Sequence, residues 1–177
     1  MSVEMLMPLI FVLPLFAAVL IKLTGNNPNL RETVTLITSV IVFLLLIPLA
    51  REVFAGGRPE LVLAELLPGM TLKFALEPLG MTFALVAGFL WPITSIYAIG
   101  YMRGHHEENQ TRFFMFFAIA IAVTQGVAFS GNLLTLFVFY EMLTLSTFPL
   151  VTHAGTDKAR KAGRVYLGIL IGTSIAF

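Results

Sequence analysis

The chain has 177 residues, 58% of them hydrophobic and 12% charged, and its mean hydropathy is +0.91. A soluble domain of this size could not bury so much apolar surface, whereas crossing ~30 Å of hydrocarbon takes about 20 such residues per helix. A net charge of only +1 gives no electrostatic case for nucleic acid, and the absence of cysteine excludes disulfides, thiolate iron–sulfur ligation and cysteine–zinc sites.

Apolar runs fall at about 5–23, 32–54, 78–101, 112–130 and 132–153; a sixth begins near 160 and is still apolar at Phe177. Lipid offers the backbone no hydrogen-bond partners, so each span must be helical. The reading is an all-α polytopic membrane protein with five complete transmembrane helices plus a truncated sixth, residues 1–177 forming a single membrane domain. No lysine or arginine precedes the first run, so it reads as a retained anchor rather than a cleaved signal peptide. Pro14, Pro48, Pro92 and Pro149 fall inside four spans. Membrane helices tolerate them because neighbouring helices and waters satisfy the freed carbonyls.

Residues 55–77 form the one long connection. Pro68-Gly69 is a turn dipeptide. After it Leu72, Phe74 and Leu76 alternate with Thr71, Lys73 and Ala75, a strand period, and Leu61–Leu67 supplies a partner. The expectation is a β-hairpin on the outer membrane surface between helices 2 and 3, with an irregular or short helical loop as the alternative. Lys22 and Arg31 flank the first loop, Arg103 and Arg112 the third, and Lys158, Arg160, Lys161 and Arg164 the fifth. Only Arg51, Arg58 and Lys73 lie on the opposite side. The positive-inside rule then puts the N-terminus outside and loops one, three and five in the cytoplasm.

Weaker signals come next. His105-His106-Glu107-Glu108 looks like a metal cluster, but adjacent loop residues do not converge on one ion, and a solvated loop is the preferred reading; no metal or cofactor site is expected. Gly168-x-x-x-Gly172 fits a close helix-packing motif, as ordinary small-residue packing does. Thr156-Asp157 reads as a helix start, and the basic residues after it as topology anchors, with pairing to a partner or a lipid headgroup as the alternative. There is no phosphate loop, dinucleotide fingerprint or nucleophile–base arrangement, hence no catalytic centre.

Glu141 is the only ionisable residue deep inside an apolar span. A charge at that depth costs roughly 2.5–3.5 kcal/mol on insertion scales unless it is protonated or paired, which makes it a functional candidate, first for proton handling. Residues three and four apart share a helix face, so its neighbours are Phe137, Val138, Thr144 and Leu145; only Thr144 is polar. Pro149 has no N–H for the Leu145 carbonyl, leaving a place for water one turn from the carboxyl. Thr124 and Gln125 on the preceding span add further polar groups. Burial disfavours the charged carboxylate and a nearby cation favours it. A carboxyl whose hold on a proton depends on a movable cation is what a coupled proton step requires. The alternative is a permanently protonated glutamic acid.

The run Gly131-Asn132-Leu-Leu-Thr-Leu-Phe-Val-Phe-Tyr-Glu141-Met-Leu-Thr-Leu-Ser-Thr-Phe-Pro149-Leu resembles the antiporter-like membrane subunits shared by respiratory complex I (NADH:quinone oxidoreductase) and Mrp-type cation/proton antiporters. In that family a fifth helix follows a Gly-Asp/Asn-Leu turn, carries an aromatic–Glu pair, and precedes a helix similar to Ala162–Gly168. The resemblance implies that Glu141 is the family's key glutamate and Asn132 its turn position, and that residues 131–177 begin the proton-translocating core. The run is slightly more similar to the MrpD-type antiporter subunits than to those of the quinone reductases. His153, at the far end of the same helix, is a candidate to pass protons to water, with carbonyl capping as the plainer reading.

The resemblance further implies a bacterial inner-membrane location. The implied partners are other membrane subunits of an antiporter or respiratory complex, protons, Na+ or K+, and the lipid bilayer. It covers the N-terminal third of a family member; the family's partner lysine, on the seventh helix, is absent here, so an N-terminal fragment or half of a split gene is expected. Two rivals stand beside the antiporter reading. One is a proton-pumping subunit of complex I or a membrane hydrogenase, the other a non-transporting structural protein.

Overall fold

A computed structural model describes residues 5–176, with the Leu67 side chain left out. Residues 1–4, which bear on the leader and on the side of the N-terminus, and Phe177, where the sixth run stops, lie outside it. The element order is α1 (Leu6–Leu23), α2 (Pro28–Phe54), β1 (Glu60–Leu67), β2 (Met70–Ala75), α3 (Pro78–Gly104), α4 (Gln110–Ala128), α5 (Leu133–Val151) and α6 (Asp157–Ala176). Helices α1 to α5 are each long and apolar enough to cross a membrane; the chain is a multi-pass membrane protein. The twenty residues of α6 begin with Asp157, Lys158, Arg160, Lys161 and Arg164, so its apolar part starts only at Val165.

Local chemistry sets the helix starts. Asn27 accepts from the Leu30 N–H at 3.3 Å, and Pro28, which has no N–H to lose, takes the first helical position of α2. Pro78 does the same for α3, and the Thr156 hydroxyl accepts from the Ala159 N–H at 3.1 Å to open α6. The four internal prolines lie inside continuous α-helices.

The hairpin is present, with β1 and β2 antiparallel (Leu61 opposite Phe74) and register shifts between Val62/Ala64 and Glu65/Leu67. It is more than a surface ornament. The outer edge of β2 is taken up by the α4–α5 turn: the Ala75 N–H donates to the Phe129 carbonyl at 2.9 Å, and the Gly131 N–H to the Lys73 carbonyl at 2.8 Å. Phe74 and Leu76, from the predicted alternating face, are buried. Phe74 meets the rings of Phe11, Phe129 and Phe139 at centroid distances of 6.2, 5.8 and 5.4 Å. The hairpin therefore plugs one end of the bundle, and an edge that would otherwise expose unpaired N–H groups is covered.

Close helix crossings use glycine. A Cβ on Gly80 would strike the Ala128 carbonyl, one on Gly88 the Leu46 side chain, and one on Gly126 the Phe139 ring. Gly168 and Gly172 differ from the packing expectation, because a Cβ on either would meet nothing within 4 Å among the described residues.

At the opposite end the loops one, three and five come together, as the charge pattern requires. Arg31 donates to the Gln110 side-chain carbonyl at 2.8 Å, to the Thr111 hydroxyl at 3.1 Å and to Glu32 at 3.2 Å. Arg103 clasps both Glu32 oxygens at 3.0 and 2.6 Å. Arg51, Arg58 and Lys73 lie at the hairpin end, where Lys73 pairs with Glu60 at 2.7 Å.

Candidate functional site

Helix α5 is pinned at its start. The Asn132 Oδ1 accepts from both the Thr135 N–H and the Thr135 hydroxyl at 2.8 Å, and its Nδ2 donates to the Thr71 carbonyl at 2.8 Å. Thr135 Oγ1 also accepts from the Lys73 N–H at 2.8 Å. The predicted turn position is thus an N-cap that also grips β2, and Gly131 beside it has no room for a Cβ against Ala75.

Glu141 lies eight residues past Leu133 and ten before Val151, about 12 Å and 15 Å from the two helix ends at 1.5 Å per residue. The residue is half-buried; its Oε1 is buried and has no hydrogen-bond partner among the described residues. None of the three ion pairs found there includes it. Thr144 is on the same face and buried, but its hydroxyl donates to the Tyr140 carbonyl at 3.2 Å and is spent on its own helix. Phe137 and Leu145 are exposed on the outer surface. Gln125 turns away: fully buried, it donates to the Ala84 carbonyl of α3 at 3.3 Å. That leaves the Oε1 without a partner among the described residues, and the backbone gap that Pro149 creates lies one to two turns on.

Near that gap the structure supplies polar groups that the residue pattern does not single out. Thr147 Oγ1 donates to the Thr144 carbonyl at 3.0 Å and lies 3.2 Å from the Tyr166 hydroxyl of α6. Their only signal in the sequence is spacing, since Thr144 and Thr147 are three residues apart.

His153 follows α5 in a turn. Its ring meets Phe113 edge-on at 5.4 Å, both ring nitrogens are buried with no hydrogen-bond partner among the described residues, and the Arg112 guanidinium donates to its carbonyl at 3.0 Å. Burial pushes its pKa below 6.5, the Arg112 charge lowers it further, and Glu107 pulls the other way. It lines a polar cleft of about 430 Å³ with His105, His106, Glu107, Glu108 and Arg112. His105 itself stacks on Tyr101 at 4.3 Å and reaches the Tyr101 carbonyl at 3.0 Å. Asn132, Glu141 and His153 therefore mark the start, middle and far end of one helix rather than a single pocket. A cavity of about 690 Å³ adjoins Asn132 at the hairpin end between α3, α4 and α5, and Glu141 does not line it.

A family model described as the N-terminus of chain 5 of NADH-ubiquinone oxidoreductase (complex I) matches residues 69–114, from the hairpin turn through α3 into α4. The NADH-quinone oxidoreductase subunit N of Desulforudis audaxviator is 25% identical over 170 residues, which is 95% of this chain and 33% of that protein. A putative antiporter subunit of Staphylococcus aureus, mnhD2, is 27% identical over 166 residues, 88% of this chain and 31% of that one. A chain in the structure of the membrane-bound sulfane sulfur reductase, an archaeal respiratory membrane complex, superposes with a TM-score of 0.78 over 96% of this chain and 26% of its own length. At 21% identity that likeness is one of fold. The chain spans about a third of the length of the relatives it matches. By fold and sequence together, the chain is similar to the antiporter-like membrane subunits of complex I and of multisubunit cation/proton antiporters.

Proposed function

We propose that this chain is a proton-translocating membrane subunit of a multisubunit monovalent cation/proton antiporter, similar to the MrpD type, and that Glu141 is the group that binds and releases the proton. The observation that carries the reading is the half-buried carboxyl midway along α5, with one oxygen buried and no hydrogen-bond partner for it among the described residues. Such a group is costly as a bare charge and cheap as an acid, so its proton occupancy follows whatever cation approaches it. In the family the chain resembles, that cation is a lysine on a later helix. With the lysine near, Glu141 is ionised; with it withdrawn, Glu141 holds a proton. Moving one charge through 100 mV is worth about 2.3 kcal/mol, and an ion pair in a low-dielectric site is at least comparable, so the swing is energetically sufficient.

Supporting roles follow from position. Thr144 and the gap at Pro149 flank the carboxyl, His153 exchanges protons with the polar cleft, and Asn132 fixes the helix that carries them. The arginine-rich end faces the cytoplasm of a bacterial inner membrane and the N-terminus lies outside, on the charge bias. The partners are the other membrane subunits of the complex, with Na+ or K+ as the exchanged ion.

In the full-length complex reconstituted in proteoliposomes, Glu141→Gln abolishes proton-coupled transport while the complex still assembles. Transport at wild-type rates in that variant would falsify the assignment. A second reading, a proton-pumping subunit of NADH:quinone oxidoreductase or a related hydrogenase, is favoured by the match to subunit N and by the chain-5 family model. A deletion strain separates the two: growth that becomes sodium-sensitive supports the antiporter, and loss of quinone-linked NADH oxidation supports the enzyme. A Glu141 carboxyl band that stays in its protonated infrared position through about pH 10, well above the usual Glu range near 4.3, marks a structural protein instead.

A further inference from the structure

Three arginines lie together at the end opposite the hairpin, one of them the Arg112 that holds the His153 carbonyl. Arg112 of α4 and Arg160 and Arg164 of α6 line one cavity of about 280 Å³, whose other walls are Phe148, Thr152 and Gly155. Among the described residues no acidic side chain lines it. None of the three is in an ion pair among the described residues, and the Arg112 Nε is buried without a partner. Of the nearby acids, Glu107 and Glu108 line the adjoining cleft, which shares Arg112 and Arg160 with this one, and Asp157, three residues before Arg160 on α6, lines neither.

The cavity is built rather than incidental. Gly163 is the buried contact of α6 on α5, with no room for a Cβ against Thr152 and Phe148. Arg160 lies three residues before Gly163 and four before Arg164, so it shares a face with each and sets the two guanidinium groups beside the helix crossing. We propose that this cavity binds the phosphate of an anionic phospholipid in the leaflet at the arginine-rich end. Guanidinium groups pair with phosphate in a fork and basic pockets between membrane helices take acidic headgroups. What favours a lipid over a free phosphate is the surface beside the cavity: Phe148 forms its wall, and past Arg164 the exposed face of α6 turns apolar at Val165 and Ile169. That surface suits acyl chains.

The test is native mass spectrometry of the whole chain purified in mild detergent, with phosphatidylglycerol, phosphatidylcholine or inorganic phosphate added. The expected result is one retained phosphatidylglycerol, bound about tenfold tighter than phosphatidylcholine. Arg160→Gln with Arg164→Gln removes that preference, whereas Lys158→Gln with Lys161→Gln, equal in charge and absent from the cavity lining, leaves it within about twofold. Arg160→Lys with Arg164→Lys keeps the charge and guards against misfolding; it binds more weakly than wild type and more tightly than the glutamine pair. Equal losses from the two glutamine pairs, equal retention of phosphatidylcholine, or displacement of the lipid by millimolar inorganic phosphate each overturn the proposal.

Discussion

His153 shows how one residue's surroundings set its charge. Burial of the ring against Phe113 and the neighbouring Arg112 guanidinium both favour the neutral imidazole, and Glu107 opposes them. The folded chain thus binds a proton more weakly than the unfolded one, whose histidine titrates near 6.5. The sign follows: the neutral ring's contribution to stability is complete above that value and is lost as pH falls below it towards the folded-state midpoint. An NMR titration of the His153 ring in the purified protein should give a midpoint below 6.5. Arg112→Gln should raise that midpoint and Glu107→Gln lower it further; an unmoved midpoint in both variants would leave burial as the sole cause. Glu141 was legible as a candidate at this scale because it is the one carboxylate within nineteen residues of apolar helix. The Thr144 hydroxyl and the Gln125 amide were not. Which way a hydroxyl or an amide turns is decided by the carbonyl it finds, Tyr140 for the one and Ala84 for the other.

Helix α5 begins where three separate chain segments meet, and Asn132 is the side chain common to them. It caps the helix through Thr135 and holds β2 through Thr71. Asn132→Ala removes both, at a cost of about 1–3 kcal/mol, the sum expected of a lost cap and a lost partner for a part-buried carbonyl. Asn132→Asp keeps the acceptor and should cost less. Hydrogen exchange locates the effect: the Lys73 and Ala75 amides, bonded to Thr135 Oγ1 and the Phe129 carbonyl, should exchange faster in the alanine variant. The arginine-rich end should not change, and uniform acceleration there would mean that Asn132 is not a local clasp. The helices and the hairpin were readable because hydropathy and alternation are period signals carried by many residues. Their ends were less so. The second apolar run starts at residue 32, yet α2 starts at Pro28; a count of apolar residues misses a polar first turn, although Asn27-Pro28 announces one. Docking of β2 on the α4–α5 turn left no trace in the string, since backbone groups 129 to 135 and 71 to 75 make most of it.

The two ends of the molecule are held by different physics. At the hairpin end, backbone hydrogen bonds and a cluster of phenylalanine rings close the bundle. At the other end Glu32 joins Arg31 of α2 to Arg103 of α3, while Arg31 reaches Gln110 and Thr111 of α4 and covers the Phe114 ring at 5.3 Å. In the sequence those arginines count only as topology charges; the acid next to Arg31 was the sign that one of them is structural. Arg31 is 3% exposed and Glu32 6%, whereas the Arg103 side chain is 47% exposed. Breaking a buried pair from one side leaves an uncompensated charge and costs about 3–5 kcal/mol. Glu32→Gln should fall near the lower bound, because Gln110 and Thr111 still hold Arg31 and Arg103 regains water. Arg103→Gln takes away a half-solvated partner and leaves Glu32 paired with Arg31, so its cost should stay near about 1 kcal/mol. Thermal unfolding of the purified protein in detergent should therefore rank Glu32→Gln well below Arg103→Gln, with high salt narrowing the Arg103 effect more than the Glu32 effect. Equal losses in the two variants would mean that water reaches Arg31 as readily as Arg103, and that this end is held by helix packing alone.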